Sequence, residues 1–171
     1  MAPPFTEAAL DSTCRNIDVI QRHFGPFKFY VENLAHFFAW QGEIDEISFM
    51  QRVLERTGCG LLLDVTNSYA NQQNFGDDAG DFIRAVVPAA SRVQMHLAGG
   101  YFDERWGRYI DSHSESIPPE VWTLYQEALA IGAGKVDAVF IERDWKFPRE
   151  EGWRNEVHRA RQLADEVAQR A

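Results

Sequence analysis

The run Gly60-Leu61-Leu62-Leu63-Asp64-Val65-Thr66-Asn67 decides the fold. Its apolar residues are continuous rather than alternating, which suits a strand buried on both faces of a parallel sheet, and they give way to a carboxylate, a hydroxyl and an amide. Three further runs share this form: Phe27 to Asn33, Arg92 to Gly99 and Asp137 to Asp144, each bounded by Gly, Pro or charged residues. Helical periodicities separate them. Leu10, Cys14, Ile17 and Phe24 fall on one face of a first helix, Ile47, Met50, Val53 and Leu54 on one face of a second, and Trp153, Val157, Ala160, Leu163 and Val167 mark the last. Pro118 and Pro119 suit the first turn of a helix starting near Glu120. The order reads α-β-α-β-α-β-α-β-α, with strands spaced roughly 30 to 45 residues apart, the size of a βα unit with its loop. That repetition predicts an α/β fold with a parallel sheet, and no Pro/Ser linker or low-complexity tract divides residues 1–171.

Where polar residues fall separates a barrel from a doubly wound sheet, because barrel enzymes carry their chemistry at the C-terminal ends of several strands. Here every run ends that way: Val31-Glu32-Asn33, Leu63-Asp64-Val65-Thr66-Asn67, Met95-His96-Leu97-Ala98-Gly99 and Ile141-Glu142-Arg143-Asp144. No Gly-x-Gly-x-x-Gly follows a strand, so a dinucleotide fold has no support. The pattern therefore reads as a partial (β/α)8 TIM barrel of four βα units, against the eight units and about 250 residues of a complete one. Three arrangements fit this count: an open sheet, a missing half supplied by another chain, or a piece of something longer.

Composition narrows the class. The 171 residues carry 26 acidic and 17 basic side chains, a formal charge of −9, and 45% of them are hydrophobic. The acidic surplus argues against nucleic acid and anionic membrane surfaces, which need clustered Lys and Arg. No apolar run approaches the ~20 residues of a membrane span, and Met1-Ala-Pro-Pro-Phe does not open like a signal peptide, so a cytoplasmic location is expected. Cys14 and Cys59 form no Cys-x-x-Cys pair and read as small buried hydrophobes.

The strand-end residues Glu32, Asp64, Asn67, His96 and Glu142 converge on one rim, and the loop after the third strand adds Asp111 and His113. Two imidazoles with several carboxylates form a mixed nitrogen and oxygen set that suits iron, manganese or zinc, and with carboxylates to spare a site for two or more metals. Each carboxylate alone has a plainer use, capping the next helix or pairing with an Arg; the same pattern at four strand ends favours the site. Asp111 and His113, two apart in an extended segment, would project to one side. His23 and His158 fall within helices and read as solvent-facing, and His36 follows the first strand closely enough to line the rim. No nucleophile elbow, phosphate loop or His-Glu-x-x-His helix is present. The segment Tyr101 to Tyr109, rich in aromatics and with two arginines, reads either as a packed loop or as a substrate or peptide contact surface.

Several ordered strings carry a resemblance: Thr57-Gly-Cys-Gly-Leu-Leu-Leu-Asp-Val-Thr-Asn-Ser-Tyr, Val93-Gln-Met-His-Leu-Ala-Gly, Tyr109-Ile-Asp-Ser-His-Ser and Pro118-Pro-Glu-Val-Trp-Thr-Leu-Tyr. Together, from about Thr6 to about Asp144, they resemble the multinuclear non-heme iron-dependent oxidative enzymes, which include the methanobactin-type peptide-modifying proteins. The resemblance implies a TIM barrel of the xylose-isomerase-like superfamily. It implies a cluster of two or three irons, ferrous and ferric, with dioxygen as cosubstrate, oxidising a cysteine in a ribosomally made precursor peptide. A separate leader-binding partner protein often presents that peptide. Carried over by motif, Glu32, Asp64, Asn67, His96, Asp111, His113 and Glu142 would be metal ligands, Glu32 bridging irons. Two strings depart from the family pattern: Asn74-Phe75-Gly76 stands where Asn-His-Gly is common, and Gly100 where a second His is common. The resemblance further implies that residues 1–171 form a single C-terminal half-barrel domain, the N-terminal half with further strands and histidine ligands lying elsewhere, so that self-association or a second chain completes the barrel. Two other readings stand beside it: a divalent-metal sugar isomerase or hydrolase on the same barrel, and a truncated, non-catalytic binding protein.

Overall fold

Each element starts and stops where local chemistry directs. The computed structural model describes residues 3–38 and 42–170. Helix α1 (Glu7–Phe24) begins where the Thr6 hydroxyl accepts the Ala9 N–H at 3.2 Å, and buries Leu10, Cys14 and Ile17. Phe24, expected on that face, is exposed; it lies in the last turn and meets only the edge of His23 among ring contacts. Strand β1 (Tyr30–Glu32) leads to α2 (Glu46–Thr57), capped by Asp45, which accepts the Ser48 N–H at 2.8 Å. Next come β2 (Gly60–Asp64), α3 (Val65–Phe75), α4 (Ala79–Ala89), β3 (Val93–Leu97), the short strands β4 (Tyr101–Asp103) and β5 (Arg108–Ile110), α5 (Pro119–Ile131), β6 (Val136–Ile141) and α6 (Glu150–Ala168).

The four long-range strands form one parallel sheet in the order β1-β2-β3-β6. Spatial order follows chain order without the reversal that defines a doubly wound sheet, so the fold is a partial TIM-barrel-like sheet with its helices. Residues alternate between its faces. Leu61, Leu63, Val93, Met95 and Leu97 point under the helices and are wholly buried, forming the centre of the core with Val53, Leu54, Ile83 and Val86. On the other face, Leu62, Gln94 and His96 are half-buried and Phe140 is exposed. That face curls: Lys28 Nζ reaches Asp137 Oδ1 at 2.9 Å and the Tyr30 hydroxyl donates to the same carboxylate, joining the β1 edge to the β6 edge at the foot of the strands. The Tyr30 ring crosses Gly60 so closely that a Cβ there would sit 2.3 Å from it, which is why this strand opens on glycine.

Two segments depart from the expected pattern. The apolar run from Gly60 leaves the sheet at Asp64, not Asn67, because Oδ1 of Asp64 accepts the Asn67 N–H at 2.7 Å and caps α3 directly. The 101–109 segment, expected as a packed loop or a contact surface, forms the antiparallel hairpin β4–β5, pairing Tyr101 with Ile110 and Asp103 with Arg108. The other three strands are also shorter than the runs that announced them. Cys14 and Cys59 are free and buried, as expected. Helix α6 lies on the outside, held by the Tyr125 hydroxyl on Ala160 O (3.0 Å) and by Arg159 over the Trp122 ring. No described helix is long and apolar enough to cross a membrane.

Candidate metal centre

Four strand ends deliver the site. Glu32 closes β1, Asp64 closes β2, His96 lies on β3 in register with Asp64, and Glu142 follows β6, its N–H donating to Leu97 O at 3.0 Å. The His96 Nδ1 atom faces three carboxylates: Glu142 Oε1 at 3.1 Å, Glu32 Oε1 at 3.6 Å and Asp64 Oδ2 at 3.9 Å. Opposite, His113 Nδ1 faces Glu142 Oε2 at 3.4 Å and Asp144 Oδ2 at 3.3 Å, while its Nε2 meets Asp111 Oδ2 at 3.1 Å. Glu142 thus spans the two imidazoles, one oxygen on each. Asp111 and His113 do not come together through an extended backbone: His113 adopts the left-handed conformation (φ 50°), which for a residue with a Cβ is held by its surroundings, here by Asp144 N–H donating to His113 O at 2.9 Å.

Two sets of three donors each lie within 4.8 Å of one another, Glu32–Asp64–His96 and Asp64–His113–Glu142, and Asp64 belongs to both. Their hydrogen bonding is incomplete. Among the described residues, the buried side-chain atoms without a hydrogen-bond partner are Asp64 Oδ2, Asn67 Oδ1, His96 Nδ1, Asp111 Oδ1 and Arg143 Nε. His96 Nδ1 is close to Glu142 without being aligned as a hydrogen bond. A buried polar atom left unpaired costs about 1–3 kcal/mol, and Asp64 Oδ2 and His96 Nδ1, both on members of these sets, form the arrangement a cation would relieve. These donors fit a hard or borderline divalent metal and not a thiolate-seeking one.

The electrostatics agree. Burial, with Asp111 and Glu32 nearby, pushes the Asp64 carboxyl up to about 7 despite the Asn67 N–H. Burial works against a charged His96, yet Glu32, Glu142 and Asp64 outweigh it and hold the imidazole above its ordinary range. Asp111 raises His113 to about 9 against the opposing effect of burial, with Glu142 adding to it. Protons stand where positive charge is wanted.

Asn67 lies one turn into α3, its Nδ2 donating to Asn33 O at 3.0 Å and its Oδ1 free to coordinate. His36 does not join the cluster: its Nε2 pairs with Glu46 at 2.9 Å, tying the rim loop to α2. His23 and His158 are exposed, as expected.

What the sequence did not reveal is the scaffold of the rim. Helix α3 is buried through polar residues, and Asn67, Asn71 and Asn74 share one face of it. Asn71 takes the His36 N–H (2.8 Å) and donates to Leu34 O (3.0 Å); Asn74 takes the Tyr109 N–H (2.7 Å) and donates to Tyr109 O (2.9 Å); Thr66 makes the same double contact with Ala98. The spacing i, i+4, i+7 of three asparagines was the available signal. Arg143 is a second omission; it pairs with Glu156 of α6 at 3.2 Å, and Glu156 also accepts the Ile117 N–H, so the loop bearing His113, the end of β6 and α6 are joined.

A parallel sheet in barrel order with a carboxylate and imidazole rim defines the chain as a partial TIM-barrel-like fold that carries a candidate metal-binding site. The family model described as "RiPP precursor modification enzyme MbnB/TglH/ChrH", RiPP denoting a ribosomally synthesised and post-translationally modified peptide, matches residues 1–165, and the chain belongs to this family. Among curated relatives, a UPF0276 protein of Rhizorhabdus wittichii is 39% identical over 170 residues, covering 98% of this chain and 58% of its own length. One of Bordetella pertussis is 38% identical over 148 residues (84% and 50%), and one of Vibrio vulnificus 34% over 167 residues (94% and 55%). The chain spans about half the length of the curated relatives it matches.

Proposed function

We propose that this chain is the C-terminal, metal-bearing half of a multinuclear iron enzyme that oxidatively modifies a cysteine in a ribosomally made peptide. The observation that carries the reading is the pair of donor sets sharing Asp64, with buried unpaired atoms on Asp64, Asn67, His96 and Asp111. Glu32, Asp64 and His96 would hold one ion and Asp64, His113 and Glu142 a second, Asn67 and Asp111 offering further oxygens. Asp111 on Nε2 of His113 turns Nδ1 of that ring toward the cluster, the carboxylate–imidazole relay common around metals. Iron held there would supply the redox chemistry that turns dioxygen on a cysteine. The chain's own side chains hold charge, orient the imidazoles and keep the Asp64 carboxylate dry.

A peptide substrate is supported by the family match and by exposed aromatics on the rim loops, among them Trp106, Trp145 and Phe147. Among the described residues β1 and β6 each pair with a single strand, which supports completion of the barrel by an N-terminal half, on a second chain or through self-association, and a leader-binding partner would present the peptide in the cytoplasm. Anaerobic reconstitution with ferrous iron tests this: more than one equivalent binds when the barrel is completed, and dioxygen is then consumed with a cysteine peptide. Preference for magnesium without dioxygen uptake would favour isomerase or hydrolase chemistry. Unchanged metal content and activity in His96→Ala and Glu142→Ala would leave a binding role alone.

A further inference from the structure

Strand β1 ends at Glu32, yet the ladder between β1 and β2 does not. The next residue, Asn33, is buried, and its side chain behaves as one more strand residue: Oδ1 accepts the Asp64 N–H at 2.9 Å and Nδ2 donates to Asp64 O at 2.9 Å. Nδ2 also lies 3.1 Å from Ser68 Oγ, which donates in turn to Asp64 O at 3.3 Å, and the Asn33 carbonyl takes the Asn67 amide. Asp64 is where β2 becomes α3: it is still in register with His96 of β3, but on its other side the ladder to β1 ends at the Glu32–Leu62 pair, so β1 offers its backbone no strand partner. Its two carboxylate oxygens also divide their work, Oδ1 capping α3 and Oδ2 unpaired toward His96.

We infer that Asn33 is the positioning residue of the centre: by clamping both backbone groups of Asp64 it sets the direction of the one carboxylate shared by both donor sets. The inference rests on the metal reading above. It also explains why neither Asn33 nor Ser68 contributes an unpaired atom to the site while their neighbours Asp64 and Asn67 do. A ligand placed by neighbouring hydrogen bonds loses affinity when these are removed, typically 10- to 100-fold. Because Asp64 is common to both sets, the loss must fall on both positions together, a pattern that removal of Glu32 or of His113 would not produce.

The test uses Mn2+ alone as the probe, followed by calorimetry and by its electron paramagnetic resonance spectrum, on the whole chain, alone and with the barrel completed. Asn33→Ala is expected to weaken every Mn2+ position about 10-fold or more and to broaden the bound-ion spectrum. Ser68→Ala, a smaller change that leaves the fold intact, should move both in the same direction by about 3-fold. Asn71→Ala is the control: it removes an equivalent double clamp from Leu34 and His36, and should lower the melting temperature while leaving Mn2+ affinity within about 2-fold. In the metal-free chain, hydrogen exchange at the Asp64 amide should quicken in Asn33→Ala and not in Asn71→Ala. If the wild type binds Mn2+ and Asn33→Ala and Ser68→Ala bind it unchanged, or lose one position only, this inference falls and the metal reading stands. If the wild type binds no Mn2+ even with the barrel completed, the metal reading falls and takes the inference with it.

Discussion

The two faces of one sheet follow opposite rules. Beneath the helices, Leu61, Leu63, Val93, Met95 and Leu97 leave no surface to solvent and carry no polar atom. On the concave face, one residue away along the same strands, Asp64 and His96 retain buried polar atoms that nothing in the described chain satisfies. The first face is finished by folding; the second is prepared for something folding does not supply. Hydrophobic burial is non-directional and closes on itself, whereas carboxylates and imidazoles gathered within 4.8 Å repel or compete until a cation or protons intervene.

The sharpest break of this comparison sets Leu63 against Leu62. Leu63→Ala should cost about 2–5 kcal/mol in chemical denaturation, since a filled site under the helices becomes a cavity, while Leu62→Ala on the half-open face should cost about 1 kcal/mol. Asp64→Asn separates the faces differently. It keeps an oxygen to cap α3 but removes the shared charge, so metal affinity should fall about 100-fold or more at both positions while the metal-free chain becomes more stable at pH 8. A wild-type-like metal content in this variant would contradict the shared role of Asp64. Asn74→Ala, which unclamps Tyr109, should loosen the β4–β5 hairpin by about 1–2 kcal/mol, read as faster amide exchange at Tyr109 with the sheet unaffected.

The smallest effect is a slope with pH. His113 titrates near 9 when folded, above its ordinary 6.5, so its contribution is complete below about pH 6.5 and is lost as pH rises through 9. Asp64, raised to about 7, likewise favours the folded state while protonated, and that contribution is lost as pH rises from about 4 through 7. Melting temperatures of the metal-free chain should therefore decline from neutral pH toward pH 9. His113→Gln should flatten the upper part of that decline, and saturating divalent metal should abolish it, because the ion takes over the charge the protons supplied.

The candidate residues were legible because strand ends are legible: an apolar run that stops on Glu32, Asp64, His96 or Glu142 announces both the strand and the rim. The hairpin was not, since three-residue strands at Tyr101 and Arg108 carry too few positions for any alternation to register. Asn67 was expected at a strand end and lies instead in the first turn of α3, because a β-branched Val-Thr pair reads as strand until the cap on Asp64 is seen. The clamping roles of Asn33, Asn71 and Asn74 were not read for a further reason. Their partners are backbone groups 31 to 37 residues distant, so even the i, i+4, i+7 spacing of Asn67, Asn71 and Asn74 marks a shared helix face without saying which peptides it holds.

By itself, then, the sequence determined the fold class and the chemical character of the rim, since both follow from local composition: where apolar runs lie and which polar residues end them. Only the tertiary structure decided that Glu142 spans His96 and His113, that Asp64 is common to two donor sets, and that the Asn33 side chain carries the β1–β2 pairing past the last residue of β1. These are relations between residues brought together across the sheet, set by strand register and the direction of hydrogen bonds, and neither quantity is a property of any one stretch of chain.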